Sequence, residues 1–264
     1  MQEIVSNKVL SKILNLDKNN IKIKEFKNGT MSKVFLVNEK YILKSNNQNQ
    51  LKCEVEFLKS CKNQLFSKLI YVDNNFEFII YEYIEGNDMK NVNNPKEVIT
   101  KLYEVVSTYS RATNLGYGYV DKIVDTWDSF INDEINSSSL NLTNRYNINK
   151  ARNAKEILKK YTFDKKILHG DFGTHNFIEN DSKFVGIIDP QTVYGDYLYD
   201  FLFGIVSNVD LIKSITIDEI VKLVKEDKEK VIAMYTVVLY SRISRCLKYH
   251  KEDIDIYNEY WDVL

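Results

Sequence analysis

The chain has 264 residues, a formal net charge of −1 and a hydrophobic fraction of 44%. This length and apolar content allow one large domain or two modest lobes with a substantial core. Lysines and acids are interspersed, which argues against a nucleic-acid-binding protein, and the longest apolar run, 231–240, is too short to cross a membrane. Because there is no signal pattern and the three cysteines form no CxxC pair, we expect a cytoplasmic protein with neither nucleic acid nor membrane as partner.

The amino-terminal third alternates between helical and strand periodicity. Apolar residues recur at helical spacing over 2–16 and again over 50–61. Strand-like runs, separated by turn residues, occupy 21–26, 33–37, 41–44, 68–72 and 76–84. This order predicts a small amino-terminal lobe with a five-stranded antiparallel sheet, residues 1–84.

From residue 85 onwards the chain is mostly helical. Helical periodicity covers 96–113, 126–135, 150–161, 197–208, 218–225 and 229–249, and strand-like runs appear only at 166–169 and 184–188. The polar stretch 136–144 predicts a loop. The sequence therefore predicts an α+β fold of two lobes, in which a larger, mainly helical carboxy-terminal lobe, residues 85–264, forms a cleft with the first lobe near 82–88.

The segment LHGDFGTHNF, 168–177, contains two histidines and two glycines, although the whole chain has only three histidines and nine glycines. A second segment, GIIDP, is an apolar strand that ends in Asp189. Asn176 and Asp189 carry hard oxygen atoms suited to Mg²⁺, whereas Asp171 is a separate carboxylate that can accept the proton of a hydroxyl group. This combination predicts a phosphoryl-transfer loop.

The spacing H-x-D-x(4)-N, followed by a strand that ends in Asp, resembles the catalytic and metal loops of protein kinases. The resemblance is closer to the aminoglycoside phosphotransferase and choline kinase group, in which the loop reads H-G-D-x(4)-N. Downstream, YGDYLYDF, 194–201, resembles that group's G-D-x-x-Y-D-hydrophobic signature. The resemblance implies a protein-kinase-like fold with a sheet-rich first lobe and a helical second lobe.

The resemblance also assigns roles in the first lobe. It implies that Lys44, on the third strand, holds phosphates and is fixed by a glutamate of the following helix. Glu54 is the preferred partner and Glu56 the alternative. In the turn NGTMS, Gly29 and Ser32 match the group's phosphate-covering turn.

The activity implied by the resemblance is transfer of the γ-phosphate of ATP, or of GTP, from a site between the lobes. Asn176 and Asp189 would hold Mg²⁺, and Asp171 would orient and deprotonate the acceptor hydroxyl. The remaining nucleotide contacts would come from backbone groups at the hinge and from two apolar surfaces: Glu82, Ile84, Ile42 and Ile188.

The last fourteen residues alternate acids with aromatics, and this pattern gives an indication of the acceptor. On a helix Asp255, Glu259 and Asp262 share one side, and the resemblance implies that such acids, with His175, bind a cationic, aminoglycoside-like small molecule. A choline, ethanolamine or other metabolite kinase of the same fold is an alternative, and so is a nucleotide-binding regulator without catalysis. We expect a monomer or a weak dimer.

Overall fold

A computed structural model describes residues 5–26 and 32–264 of the chain. The helices are Asn7–Leu14 (α1), Gln48–Ser60 (α2), Pro95–Ser107 (α3), Trp127–Ser139 (α4), Ile148–Leu158 (α5), Tyr197–Val206 (α6), Val209–Lys213 (α7), Ile217–Val224 (α8), Lys228–Tyr249 (α9) and Ile254–Val263 (α10). The strands are Ile23–Phe26 (β1), Lys33–Val37 (β2), Tyr41–Ser45 (β3), Leu69–Val72 (β4), Ile79–Glu82 (β5), Asn87–Asp88 (β6), Gly118–Tyr119 (β7), Lys166–Leu168 (β8), Phe177–Asn180 (β9), Lys183–Ile187 (β10) and Val193–Gly195 (β11).

The amino-terminal sheet has the strand order β1-β2-β3-β5-β4, and all its neighbouring strands are antiparallel. Alternation along β3 sends Leu43 to one face, where it packs with Leu10 of α1, and Ile42 to the other, where it packs with Val55 of α2. The five-stranded antiparallel sheet predicted from the sequence is thereby confirmed.

The carboxy-terminal part is built around α9, which contacts α4, α5, α6, α8 and α10. Most of its residues are buried, since neighbouring helices cover it on several sides. The predicted loop over 136–144 is partly wrong, because α4 continues to Ser139. Its last turn is held against α9, where the hydroxyls of Ser138 and Ser241 are 2.9 Å apart and buried.

Two small three-stranded sheets, β10-β9-β6 and β7-β11-β8, carry the loops between the two parts of the molecule. The sequence predicted only two strands in this region, close to β8 and β10. The other four strands are two to four residues long, too short for side-chain alternation to reveal them. β8 ends immediately before His169, and β10 ends two residues before Asp189, so these sheets bring the two predicted functional segments together.

The longest described helix, α9, has 22 residues, but none of the helices in 5–26 and 32–264 has an apolar stretch that could span a bilayer.

Candidate active site

The loop after β8 is held by one buried carboxylate. Asp200, in α6, accepts hydrogen bonds from the backbone N–H groups of His169 at 2.7 Å and Gly170 at 3.1 Å, and from the hydroxyl of Tyr109 at 3.0 Å. Gly170 has a φ of +79°, and a Cβ there would lie 2.7 Å from the carbonyl oxygen of Gln191. Only glycine fits this position without strain, so the sharp turn that precedes Asp171 depends on it.

His169 connects the two functional segments. Its Nδ1 lies 3.3 Å from the backbone nitrogen of Asp171, which can only donate, so Nδ1 accepts and the proton of the neutral ring is on Nε2. Nε2 then donates to the carbonyl oxygen of Ile188, 2.9 Å away. The ring is fully buried between aromatic side chains, and this burial lowers the pKa of His169 to about 4. His169 is therefore a neutral bridge and not a proton carrier.

Asp171 lies at the centre of a small hydrogen-bonded cluster. Its Oδ2 accepts from Nε2 of His175 at 3.0 Å and from Nδ2 of Asn176 at 3.1 Å, and its Oδ1 lies 3.6 Å from a guanidinium nitrogen of Arg245. Burial raises the pKa of this carboxyl, but the hydrogen bond with His175 and the charges of His175 and Arg245 outweigh that effect and hold the pKa at about 2. Asp171 is therefore ionised throughout the neutral range.

Asp189 meets the lysine of the sheet. The ammonium of Lys44 lies 2.8 Å from Oε2 of Glu54 and 2.8 Å from Oδ1 of Asp189. Asp189 adopts a φ of +58°, in the left-handed region, which turns its side chain out of the direction of β10. A contact between residues 145 positions apart thus joins the sheet to the loop region.

The pairing of Lys44 settles the choice between the two helix glutamates. Glu54 is buried beside Lys44, whereas Glu56 accepts a hydrogen bond from the hydroxyl of Tyr194 at 3.0 Å. Burial alone would lower the pKa of Lys44, but the carboxylates of Glu54 and Asp189 raise it. Lys44 therefore remains an ammonium group, with two of its three hydrogen atoms directed to carboxylates.

The other residues predicted on the nucleotide side have different surroundings. Gly29 lies outside the described residues, and the hydroxyl of Ser32 accepts a hydrogen bond from Nδ2 of Asn46 at 2.9 Å. Ile42 is buried against α2, and Ile188 is half-buried and supplies the carbonyl bound by His169.

At the connection between the sheet and the helical part, Glu82 is exposed, and its backbone N–H donates to the carbonyl of Lys68 at 3.0 Å. Ile84 packs on Gly186 of β10, where a Cβ would lie 2.6 Å from the Ile84 side chain. This contact brings the connection close to the strand that leads to Asp189.

A magnesium ion fits the chemistry of the predicted ligands. Asn176 donates both of its described side-chain hydrogen bonds from Nδ2, to the backbone carbonyl and to Oδ2 of Asp171, which leaves its Oδ1 available as a ligand. The side chain of Asp189 is 51% exposed, and one of its carboxylate oxygens is not used by Lys44. Within the described residues there is no cluster of three or more His, Cys, Asp or Glu side chains that could hold a metal by itself. An amide and a carboxylate are typical of Mg²⁺ that is also bound by phosphate oxygens.

Asp171 and His175 line a cavity of about 920 Å³ between α4, α9 and the loop after β8. The three acids of the last helix are not among its lining residues. Asp262 instead forms an ion pair with Arg145, with 2.9 Å between nitrogen and oxygen, while Asp255 and Glu259 are exposed. The acids predicted to bind the acceptor therefore do not line the cavity beside Asp171, because packing of Tyr257 and Trp261 into the core directs the acidic side of α10 elsewhere.

The charged lining residues that the sequence analysis missed come mainly from α9. They are Arg242, Arg245 and Lys248, facing Glu134 of α4. The segment SRISRCLK, 241–248, contains a signal that could have revealed them: three cations spaced three residues apart, directly after the apolar run 231–240 of the same helix. Two of the five arginines of this lysine-rich chain are in that segment.

The ion-paired lysine of the antiparallel sheet, joined through Asp189 to an aspartate loop on a helical base, defines a phosphotransferase with a protein-kinase-like fold. The chain belongs to the phosphotransferase enzyme family APH, whose family model matches residues 22–218. It is accordingly a nucleoside-triphosphate-dependent phosphotransferase that acts on a hydroxyl group.

Solved structures with the same fold include three aminoglycoside phosphotransferases. A thermostable mutant of APH(4)-Ia, in a ternary complex with ADP and hygromycin B, has a TM-score of 0.62 and 14% identity over 97% of this chain and 96% of its own. ADP-bound APH(2'')-Ib has a TM-score of 0.60 and 19% identity over 97% and 95%. The GDP complex of aminoglycoside 2'-phosphotransferase-IIIa has a TM-score of 0.57 and 13% identity over 97% and 96%. A comparison with curated protein sequences finds no match.

Proposed function

We propose that this protein is a kinase that transfers the γ-phosphate of a nucleoside triphosphate to a hydroxyl group of a small molecule bound in the cavity beside Asp171. The observation that carries the proposal is the bridge through His169. This residue ties the backbone of Asp171, whose side chain lines the cavity, to the segment of Asp189, which pairs with Lys44. The acceptor side and the nucleotide side thus form one connected unit.

In this proposal the carboxylate of Asp171 orients the acceptor hydroxyl and takes its proton. With a pKa of about 2 it is a weak base, which suits a reaction whose transition state is loose and depends on positioning more than on base strength. The hydrogen bonds from His175 and Asn176 fix the direction of the carboxylate. Positioning of this kind contributes several kcal/mol to lowering a reaction barrier, about 7 or more in well-oriented cases.

On the nucleotide side, Lys44 would direct its third hydrogen to phosphate oxygens while Glu54 and Asp189 hold the other two. The nucleotides bound to the solved relatives, ADP and GDP, support ATP and GTP as the two donors to compare. We assign the donor to the part formed by residues 1–84 and the acceptor to 85–264. Ile42, Glu82, Ile84 and Ile188 remain the predicted contacts of the base, and Gly29 and Ser32 those of the phosphates.

Asn176 and Asp189 are the residues that would hold Mg²⁺. Bound there, the ion would neutralise charge on the phosphates. The chain's own contribution is the orientation of the two ligands, since Asn176 is fixed by Asp171 and Asp189 by Lys44.

Two acceptor classes follow from different observations. The hygromycin B bound to the solved relative favours an aminoglycoside-like acceptor with amino groups. The cations that line the cavity favour another class, an acceptor with a negatively charged group. The proposal includes a cytoplasmic location, where nucleoside triphosphates are abundant and where the free cysteines Cys53, Cys61 and Cys246 stay reduced.

The proposal is tested by measuring nucleotide consumption by the purified chain, with ATP or GTP and Mg²⁺, against a panel of hydroxyl-bearing acceptors. The panel should hold hygromycin B, choline, ethanolamine, amino sugars and sugar acids. Asp171→Asn should abolish acceptor-stimulated consumption and leave nucleotide binding unchanged, because Asp171 does not contact Lys44. Equal turnover by the wild type and Asp171→Asn would overturn the proposal.

A further inference from the structure

The cavity beside Asp171 carries more positive than negative charge. With His175 and His250 counted as neutral, its lining contains three cations, Arg242, Arg245 and Lys248, and two carboxylates, Asp171 and Glu134, which leaves one positive charge in excess. Burial raises the pKa of Glu134, and the charge of Arg245 acts in the opposite direction. A cavity built for a polycation would have the opposite balance.

The two carboxylates of the cavity already have a cationic partner. Arg245 lies 3.6 Å from Oδ1 of Asp171, and its charge also acts on Glu134. Its guanidinium stacks on the ring of Phe203, with 4.8 Å to the centroid, so its position is fixed. Arg245 is therefore largely compensated within the protein.

Arg242 is different, because no carboxylate compensates its charge. The residue is only 9% exposed, and its Nε donates to the hydroxyl of Tyr257 at 3.0 Å. That hydroxyl is neutral and donates in turn to the carbonyl of Val206 at 2.9 Å. Over residues 5–26 and 32–264 no carboxylate lies within 4.0 Å of the Arg242 guanidinium, and none lies within that distance of Lys248.

A buried guanidinium without a counter-charge is costly to maintain unless a ligand supplies the negative charge. Arginine binds carboxylate and phosphate oxygens through two parallel N–H groups, a geometry that the ammonium of lysine lacks. Among 36 basic residues the chain has only five arginines, and Arg242 is one of them. The lining of the same cavity includes the hydroxyl-bearing residues Ser137 and Ser244.

We propose that the acceptor carries an anionic oxygen group, a carboxylate or a phosphate ester, which Arg242 binds while the acceptor hydroxyl lies against Asp171. The proposal rests on the kinase function proposed above and specifies its substrate class. Arg245 lies 3.6 Å from Asp171 and follows Arg242 by three residues, a rise of about 4.5 Å along the helix axis. It is therefore placed between Arg242 and the acceptor hydroxyl. Lys248, a further three residues along and exposed, adds positive charge at the mouth of the cavity.

The test compares four ligands with one carbon skeleton: glucose, glucosamine, glucuronate and glucose 6-phosphate. Their dissociation constants are measured by calorimetry on the full chain, with the nucleotide site saturated by AMP-PNP and Mg²⁺ so that phosphate does not bind there. We expect glucuronate or glucose 6-phosphate to bind at least about tenfold more tightly than glucose and glucosamine, the effect of one charge-assisted contact. The stronger of the two identifies the anionic group.

Variants then assign the preference to Arg242. Arg242→Gln should abolish it, whereas Arg145→Gln, which removes an exposed arginine paired with Asp262 outside the cavity, should keep it. If Arg242→Gln does not fold, Arg242→Lys can be used instead. It keeps the positive charge but lacks the two parallel N–H groups of the guanidinium, so it should reduce the preference for the anionic ligands. Tyr257→Phe removes the neutral partner alone, so it should lower stability and retain the preference.

Equal binding of all four ligands, or tighter binding of glucosamine or hygromycin B, would overturn the proposal. A preference that survives in Arg242→Gln would overturn the role of Arg242. Asp171→Asn separates this proposal from the kinase function, because it should lose transfer but bind the anionic ligands as well as the wild type or better. A cationic acceptor would instead lose affinity in that variant.

Discussion

The imidazole of His169 donates from Nε2 to the carbonyl oxygen of Ile188 at 2.9 Å and accepts on Nδ1 from the backbone N–H of Asp171 at 3.3 Å. Ile188 directly precedes Asp189, so one buried ring sets the spacing between the aspartate of the cavity and the aspartate that meets Lys44. The ring can do this only while it is neutral, because protonation of Nδ1 would place two donors face to face.

This relationship predicts a pH dependence of stability. The pKa of His169 is about 4 in the folded chain, compared with 6.5 for an unperturbed histidine, so between these values the unfolded chain binds one more proton. The contribution of His169 to the free energy of unfolding is therefore fully present above pH 6.5 and is lost as the pH falls towards 4, about 3 kcal/mol in total. Urea unfolding at several pH values measures it.

His169→Asn should show a weaker fall in stability between pH 6.5 and 4 than the wild type. The control is His250→Asn, since His250 is exposed and lies 3.9 Å from its nearest carboxylate, Glu252. Identical pH profiles for wild type and His169→Asn would contradict the neutral-bridge assignment.

Substitution of the two glutamates of α2, Glu54 and Glu56, gives a matched pair of variants. Glu54→Gln removes a buried carboxylate 2.8 Å from Lys44 and should reduce kcat/KM for the nucleotide about 100-fold, a loss of about 3 kcal/mol. Glu56→Gln removes only the partner of Tyr194 and should change the same quantity about twofold or less. Steady-state kinetics with varied nucleotide separates them. A decrease in kcat/KM for Glu54→Gln as small as that for Glu56→Gln would show that Lys44 does not depend on Glu54 during turnover.

The turn before Asp171 predicts a selective effect of alanine. Gly170→Ala places a Cβ 2.7 Å from the carbonyl oxygen of Gln191 at a φ of +79°, so it should destabilise the fold by about 1–3 kcal/mol and lower kcat at least tenfold. At Gly173 the φ is not in the left-handed region, and the added Cβ would lie 2.7 Å from the exposed ring of His175, which can rotate, and 3.3 Å from the ring of Phe203. Gly173→Ala should therefore have a much smaller effect on thermal unfolding. Equal stability of the two variants would mean that the turn tolerates a side chain.

The buried anchor of the same loop can be tested with a double-mutant cycle. Asp200→Asn replaces an acceptor of two backbone N–H groups and one hydroxyl by an amide that has one acceptor oxygen, and should cost about 2–4 kcal/mol of stability. Tyr109→Phe removes one of the three donors and should cost about 1 kcal/mol. Because the two groups are in contact, the double variant should lose less than the sum of the single losses. Additive losses, measured by denaturant unfolding, would argue against a shared network.

The order of helices and strands in the first lobe, and the residues that carry the phosphoryl-transfer pattern, could be predicted from the amino-acid sequence. The five-stranded sheet follows from alternation of apolar residues, and the placement of Asp171, Asn176 and Asp189 follows from short spacings within one loop and one strand. Such information is local, because the covalent chain keeps residues a few positions apart within reach of each other. Family membership, which rests on the same ordered motifs, was predictable for this reason.

Which side chains meet across the molecule depended on the packing of helices and sheets. The sequence favoured Glu54 over Glu56 as the partner of Lys44 but left both open, and packing of α2 against the sheet places Glu54 beside Lys44. The acids of the last helix matched the expected acceptor in composition, yet packing of that helix directs them away from the cavity, and the charged lining comes from α9 instead. A periodic pattern shows which residues share a face, but the partner of that face is set by contacts between residues far apart in the chain. The three cations of 241–248 share one side of a helix in the sequence pattern, but only the packing of α9 shows that this side lines the cavity beside Asp171.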